Sequence, residues 1–172
     1  GVYRRDIDIP ADWMNRNIYL NIAGAKSGVY VYINGREVGY NEDSKNPAEF
    51  LINDYVQTGK NVLTLKIFRW STGSYLECQD FFRISGIERD VYLWAQPKTA
   101  LQDFRVTSTL DDSYKNGIFK LAMDINNSLA SASTTKVSYE ILNKLGEVVA
   151  TAAQGVKVPA NGKTTVKLDK QP

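Results

Sequence analysis

Apolar and polar residues alternate one by one near the start of the chain. In Gly1–Pro10, Ile7 and Ile9 alternate with Asp6 and Asp8. Successive side chains of a β-strand point to opposite faces, so this alternation predicts a half-buried strand. The closing proline ends the strand because it has no backbone N–H to donate to a neighbour.

Similar short segments, rich in β-branched and aromatic residues, follow through the first half of the chain. We predict strands at Ile18–Ile22, Gly28–Ile33, Arg36–Tyr40, Asn61–Trp70 and Asp90–Trp94. The Asn34-Gly35 pair predicts a type I′ hairpin turn, because both residue types tolerate a positive φ. Leu51–Val56 is compatible with one helical turn that ends at Gly59. Because no segment sustains a helical repeat, this half is predicted to be a jelly-roll β-sandwich.

A change of composition after Pro97 marks a domain boundary. Residues 1–98 are assigned to the jelly roll, and residues 99–172 to a second domain that is rich in Ser, Thr, Ala and Lys. Its alternating segments are Leu101–Ser108, Gly117–Met123, Thr135–Leu142, Glu147–Ala152 and Lys163–Leu168, with turns at 143–146 and 159–162. This pattern predicts an immunoglobulin-like β-sandwich, so the fold class is all-β throughout.

The second domain has fewer predicted strands than its fold requires. Immunoglobulin-like sandwiches have about seven strands in about 100 residues, and we count five segments here. We therefore expect both sandwiches to be truncated, and the second domain either to self-associate through exposed strand edges or to be loosely ordered. Lys136–Leu142 and Glu147–Ala150 are the expected donors, because they are β-rich and contain no proline.

An unusual segment joins the strands that end at Trp70 and begin at Asp90. Residues 69–93 read Arg-Trp-Ser-Thr-Gly-Ser-Tyr-Leu-Glu-Cys-Gln-Asp-Phe-Phe-Arg-Ile-Ser-Gly-Ile-Glu-Arg-Asp-Val-Tyr-Leu. Ordinary hairpin loops have about two to five residues. A much longer loop with this many aromatic and charged side chains is typical of a functional loop or a packed Ω-loop.

This segment resembles the matching part of the β-galactosidases of glycoside hydrolase family 2. Those enzymes carry Arg-Trp-Ser-x-Gly-Ser-Tyr-Leu-Glu-x-Gln-Asp, then an aromatic pair and Arg-x-Ser-Gly-Ile-x-Arg-Asp-Val. The Asn-Gly-x-x-Val-Gly-Tyr hairpin at residues 34–40 is similar to theirs as well. The resemblance implies a jelly-roll sugar-binding domain followed by an immunoglobulin-like domain, in a retaining enzyme that hydrolyses terminal β-D-galactosides. It also implies that the family's chain begins well upstream of the point that matches Gly1.

The resemblance implies a role for Asp80, which would help to hold a sodium ion and contact the galactose 6-hydroxyl. A carboxylate is a hard oxygen ligand suited to such an ion, and it also accepts hydrogen bonds from sugar hydroxyls. Glu77, Trp70 and Tyr75 would support the loop. The family's catalytic glutamates and its magnesium lie in a following (β/α)₈ barrel, whose alternating pattern is absent here. We therefore expect this chain alone to be inactive and to hold no cofactor.

The residues by themselves leave other roles open. Asp80 suits a loop cap or an ion pair with Arg83 or Arg89 equally well, and Glu77 suits a structural ion pair. Trp70 and Tyr75 suit either stacking on a sugar ring or the packed interior of the loop. Arg89 and Asp90 are interpreted as strand residues with structural partners on opposite faces.

Composition excludes several classes of chemistry. The chain of 172 residues has no histidine, which excludes histidine-based triads and imidazole metal sites but not a pair of carboxylates. Cys78 is the single cysteine, so neither an internal disulfide nor a zinc cluster is expected. The net charge is +2, and the basic residues form no cluster of the kind that binds nucleic acid. No apolar run is long enough to span a membrane. We expect a soluble protein of the cytoplasm or the periplasm.

Three alternatives to a β-galactosidase remain open. The chain also suits a stand-alone carbohydrate-binding module, and its Ser/Thr-rich second half suits a non-enzymatic adhesion sandwich. β-Glucuronidase and β-mannosidase occur in the same family. The galactosidase-like string at residues 70–80 favours the first interpretation, for which the resemblance implies a homo-oligomeric parent enzyme.

Overall fold

A computed structural model describes residues 1–77, residue 80 and residues 82–170, with backbone only for residues 169 and 170. The chain divides into two compact units, Gly1–Pro97 and Lys98–Pro172. In each unit two main β-sheets enclose an apolar core, and the predicted all-β fold class is confirmed.

The first unit contains nine strands and three short helices among its described residues. The strands are β1 (Val2–Ile9), β2 (Asn17–Ile22), β3 (Ala25–Lys26), β4 (Gly28–Ile33), β5 (Arg36–Asn41), β6 (Ala48–Leu51), β7 (Gly59–Phe68), β8 (Gly86–Ile87) and β9 (Val91–Gln96). The helices are two 3₁₀ turns, Ala11–Trp13 and Asn53–Tyr55, and helix α1 (Thr72–Leu76). The single helical turn predicted over Leu51–Val56 is therefore confirmed in shorter form.

Two main sheets, one ordered β1-β7-β4-β5 and the other β6-β2-β9, form the sandwich of the first unit. Strand β2 shows why its sequence pattern suits this position. Ile18, Leu20 and Ile22 are fully buried and point into the core with residues of β4 and β7. The predicted turn between β4 and β5 is also confirmed, with φ of 52° at Asn34 and 80° at Gly35.

The second unit contains all five predicted strands, each longer than expected. They are β10 (Thr99–Leu110), β11 (Gly117–Asn127), β12 (Ser133–Leu142), β13 (Val148–Val158) and β14 (Gly162–Lys170). One sheet has the order β10-β11-β14, and β12 and β13 form the other. The core between them contains Leu121, Met123, Ile125, Val156, Val158 and Val166.

The loop after β7 differs from the prediction. Strand β7 ends at Phe68, so Trp70 lies beyond it, because the chain turns at Ser71 into helix α1. Strands β7 and β9 belong to different sheets, so the segment between them connects the two layers of the sandwich. Within it, β8 pairs with β3 as a separate two-stranded ribbon.

One further expectation was wrong: Arg89 and Asp90 lie before β9 and not within a strand, and the Arg89 N–H donates to the carbonyl of Gly24. The half-buried strand predicted at the start of the chain is confirmed as β1. Its second half alternates as expected, with Ile7 half-buried and Ile9 buried, while residues 2–5 are exposed. Strand β1 is the edge strand of its sheet, so burial fades along it.

Candidate functional site

Three serine hydroxyls fix the base of the loop that carries helix α1. The Ser27 Oγ lies 2.8 Å from the Ser71 Oγ, and the Ser74 Oγ donates to the Ser27 Oγ at 2.7 Å. The Ser71 backbone N–H donates to the Ser74 Oγ at 2.8 Å, which satisfies a donor at the helix start. Ser27 is fully buried, so the hydroxyl network ties the loop to the interior of the sandwich.

A carboxylate completes the helix start. The Gly73 N–H donates to the Glu42 Oε2 at 2.6 Å, and a negative group is favourable at a helix N-terminus. Gly73 has no room for a side chain, because a Cβ there would lie 2.7 Å from the Glu42 carbonyl oxygen. Partial desolvation raises the pKa of Tyr40, and the hydrogen bond and charge of the neighbouring Glu42 carboxylate raise it further.

Glu77 joins this loop to the segment that follows β5. Its Oε1 accepts the backbone N–H of Ser44 at 2.8 Å. Its Oε2 is buried and has no hydrogen-bond partner among the described residues. In the described part of the chain, therefore, Glu77 binds the backbone of Ser44 and forms no ion pair.

The turn at residues 43–46, next to this contact, is held by hydrogen bonds of its own. The Asp43 carboxylate accepts the backbone N–H groups of Asn46 and Lys45, each at 3.0 Å, and these bonds, led by that of Asn46, lower its pKa. Lys45 pairs with Glu88 at 2.6 Å, and the Arg89 Nη1 donates to the Lys45 carbonyl at 3.1 Å. Both ends of the long loop are thereby held against the same turn.

Asp80 lies on the exposed part of the loop. Its side chain makes no hydrogen bond or ion pair to another described residue, so neither Arg83 nor Arg89 neutralises it. Trp70 and Tyr75 are exposed as well, which is contrary to a role in the packed interior, and their ring centroids lie 6.4 Å apart. The prediction for Cys78 concerns a residue outside the described part.

Exposed apolar side chains flank Asp80 along the sequence. Leu76, Phe82 and Ile84 are all exposed, and so are Trp70 and Tyr75. No group of three or more His, Cys, Asp or Glu side chains among the described residues is placed to hold a metal ion. Asp80 is therefore a single carboxylate on an apolar loop, without a second metal ligand in the part of the chain described.

Sequence reasoning missed the residues that anchor the loop. Ser71 and Ser74 have the spacing of a helix-capping pair, which was the available signal. Ser27 and Glu42 gave none, because their partners are 47 and 31 residues away along the chain. Such contacts form only when the sandwich brings distant segments together.

A separate cleft of about 580 Å³ opens between β1 and β9 in the first unit. Its floor is apolar and includes Leu20, Leu63, Leu65 and Leu93, and Arg5 is among its lining residues. None of the predicted site residues lines it. Within the described residues, no helix has the length and apolar character needed to cross a membrane.

Comparison with known proteins identifies the family of proteins that share this fold. Residues 1–97 match the family of glycosyl hydrolases family 2, sugar binding domain. A β-galactosidase of Priestia megaterium is 42% identical over 142 residues, which cover 83% of this chain and 14% of the relative. One of Clostridium acetobutylicum is 34% identical over 171 residues, which cover 99% of this chain and 18% of the relative.

Solved structures share the fold across both units. A Bacteroides uniformis β-glucuronidase superimposes with a TM-score of 0.88 at 19% identity, over 98% of this chain and 21% of its own. A putative β-galactosidase from Bacteroides fragilis gives 0.80 at 18% identity, over 99% of this chain and 27% of its own. The first unit is thus a sugar-binding β-sandwich domain of the glycoside hydrolases. The chain belongs to glycosyl hydrolase family 2, as the motif at residues 69–93 indicated.

Proposed function

We propose that this chain is the N-terminal accessory region of a retaining β-galactosidase and that its Asp80 loop completes the active site of that enzyme. The identity of 34–42% to the curated β-galactosidases described above supports this substrate class. The chain spans only 14–18% of their length, so the reaction itself belongs to the longer enzyme. At 19% identity, the likeness to the β-glucuronidase supports the fold only and not the substrate.

The observation that carries the proposal is the Asp80 carboxylate, which pairs with no other described residue and lies on a firmly anchored apolar loop. The base of the loop is held by Ser27, Glu42 and Glu77, while Asp80 at its exposed part has no described partner. Exposed apolar side chains grouped on one loop are unusual on a free surface and suit packing against another domain. Asp80 would thereby enter a site whose other groups come from that domain.

Within that site, Asp80 would supply one oxygen to a sodium ion and would accept a hydrogen bond from the galactose 6-hydroxyl. The other ligands of the sodium ion would come from the catalytic domain, as would a site for magnesium. Trp70, Tyr75 and Glu77 support the loop and do not take part in the chemistry. The two catalytic carboxylates of a retaining glycosidase lie about 5 Å apart in that domain.

The test is Asp80→Ala in the full-length enzyme. Loss of one contact made in the closed site should lower kcat/KM for a nitrophenyl β-galactoside by about 30- to 1000-fold. Activation by sodium should fall in the same variant. Asp112→Ala, which changes an exposed aspartate of the second unit, is the matched control and should keep both properties. Unchanged kcat/KM and sodium response in Asp80→Ala would refute the role.

A further inference from the structure

Three asparagines of this chain are each followed by glycine: Asn34, Asn116 and Asn161. In such a pair, the peptide nitrogen of the glycine can lose its proton and attack the Cγ carbon of the asparagine side chain. A succinimide ring forms and ammonia leaves, and water then opens the ring to aspartate or isoaspartate. Glycine favours the attack because it has no Cβ and a flexible backbone. All three asparagines are exposed, so exposure does not distinguish them.

The side chain of Asn34 is held by three hydrogen bonds. Its Nδ2 donates to the Tyr55 carbonyl at 3.0 Å and to the Asn61 Oδ1 at 2.8 Å, and its Oδ1 accepts the Val62 N–H at 2.9 Å. The attack by the nitrogen of Gly35 draws Cγ towards that nitrogen and releases Nδ2 as ammonia, so these bonds must break. The structure therefore protects Asn34, although its sequence suits the reaction.

Asn116 is restrained by a single carboxylate. Its Nδ2 donates to the Asp111 Oδ2 at 2.8 Å. Hydrogen bonds from the Ser113 hydroxyl, the Asn116 side chain and two backbone N–H groups lower the pKa of Asp111 to about 2. The carboxylate is therefore charged at neutral and alkaline pH, and a charged acceptor forms a strong hydrogen bond. Asn116 is thus protected as well, but by fewer bonds than Asn34.

Asn161 has a backbone conformation like that of Asn34 but lacks its side-chain bonds. Both residues are in the left-handed region, with φ of 44° at Asn161 and 52° at Asn34. The backbone N–H of Asn161 donates to the Leu129 carbonyl at 2.9 Å. Its side chain makes no hydrogen bond to another residue in the described part of the chain. No described contact therefore holds this amide away from the nitrogen of Gly162.

We propose that Asn161 is a site of spontaneous covalent modification, where asparagine converts to aspartate and isoaspartate much faster than at Asn34. Each conversion consumes one water and releases one ammonia, without an enzyme or an oxidant. The turn at residues 159–162 connects strand β13 of one sheet to strand β14 of the other. Conversion places a negative charge in this turn. Isoaspartate also adds a methylene group to the main chain there, which disturbs the bond to the Leu129 carbonyl.

Incubation of the 172-residue chain in mildly alkaline buffer, followed by peptide mapping with mass spectrometry, tests the proposal. Asn161 is expected to convert at least about tenfold faster than Asn34, because breaking the hydrogen bonds of Asn34 adds to its activation barrier. Asn116 should be intermediate. In urea, where no fold restrains the side chains, the three pairs should convert at similar rates. The rate at Asn161 should rise with hydroxide concentration, because the peptide nitrogen must lose its proton.

Two variants sharpen the test. Asp111→Ala removes the bond to Asn116 and should raise the rate there towards that of Asn161. Asn161→Gln should stop conversion in the turn, because the longer side chain would have to close a larger ring. The Tm of the wild-type chain should fall during incubation, whereas the Tm of Asn161→Gln should stay at its own starting value.

Equal rates at Asn161 and Asn34 in the folded chain would overturn the proposal. So would an Asn161 that stays intact in the folded chain while it converts in urea. An unchanged rate at Asn116 in Asp111→Ala would contradict the protection by side-chain hydrogen bonds on which the proposal rests. None of these results bears on the role of Asp80.

Discussion

Glu42 shows how one residue positions a whole loop. Its carboxylate accepts the Gly73 N–H at the start of helix α1, where the chain leaves the sandwich. The contact is short because Gly73 has no side chain, and the exposed Tyr40 lies beside the same carboxylate. The direction in which Asp80 is presented therefore depends on a residue far from it in sequence.

Replacing Glu42 with alanine should loosen the loop without unfolding the first unit. Loss of the cap leaves the Gly73 N–H without its acceptor, which costs about 1–2 kcal/mol of free energy of unfolding. Urea denaturation measures this loss, and amide hydrogen exchange should be faster at Gly73. Glu37→Ala removes an exposed carboxylate that only accepts the Tyr32 hydroxyl at 3.2 Å and should cost less than about 0.5 kcal/mol. Equal losses in the two variants would argue against the capping role.

Among the elements, the β4–β5 hairpin depends most directly on its turn residues. Asn34 and Gly35 both have positive φ, and the Asn34 side chain also bonds to Asn61 at 2.8 Å and to the Val62 N–H at 2.9 Å. The turn therefore sets the register of the hairpin and also ties it to the start of β7. Its backbone conformation, rather than space, restricts position 35, because nothing lies within 4 Å of a Cβ placed there.

Gly35→Ala should destabilise the first unit by about 1 kcal/mol, because alanine disfavours a φ of 80°. Gly117→Ala is the control, since Gly117 has equally open space but no positive φ. That change should leave the second unit as stable as before or more stable, because it restricts the unfolded chain. Thermal unfolding of both variants makes the comparison, and a loss at position 117 equal to that at position 35 would contradict the argument.

At the scale of the whole molecule, the first of the two sandwiches presents an exposed apolar loop that carries Asp80. The carboxylates near the loop are engaged in structural bonds, as Asp43 with its turn and Glu88 with Lys45. A retaining glycosidase needs two carboxyls facing each other across a sugar subsite. The proposal that the Asp80 loop completes an active site therefore assigns both of these carboxyls to another domain.

The chain by itself should therefore hydrolyse no nitrophenyl glycoside above the buffer rate. Assays of the purified chain against the β-galactoside, β-glucuronide and β-mannoside test this directly. Turnover that persists after repurification and disappears on mutation of one Asp or Glu of the chain would contradict it. Activity that is lost on repurification would instead identify a contaminating enzyme.

The sequence by itself determined the local structure and the family. Alternation at residues 6–9 specifies a strand, because side chains on a strand alternate between two faces. The β-branched and aromatic residues of β2 and β4 specify strands as well. The Asn34-Gly35 pair specifies its turn through φ, and the string at residues 69–93 identifies the family through the residues themselves. These signals are local, so neighbouring residues are sufficient to read them.

Only the tertiary structure decided how these elements combine. It assigned β7 and β9 to different sheets, and brought Ser27 and Glu42 to a helix 31 or more residues away. Within the described residues it also leaves Phe104 and Val106 of β10 exposed, although they alternate as core residues do. Alternation shows that one face of a strand is apolar, but only the arrangement of the other strands determines whether anything covers that face.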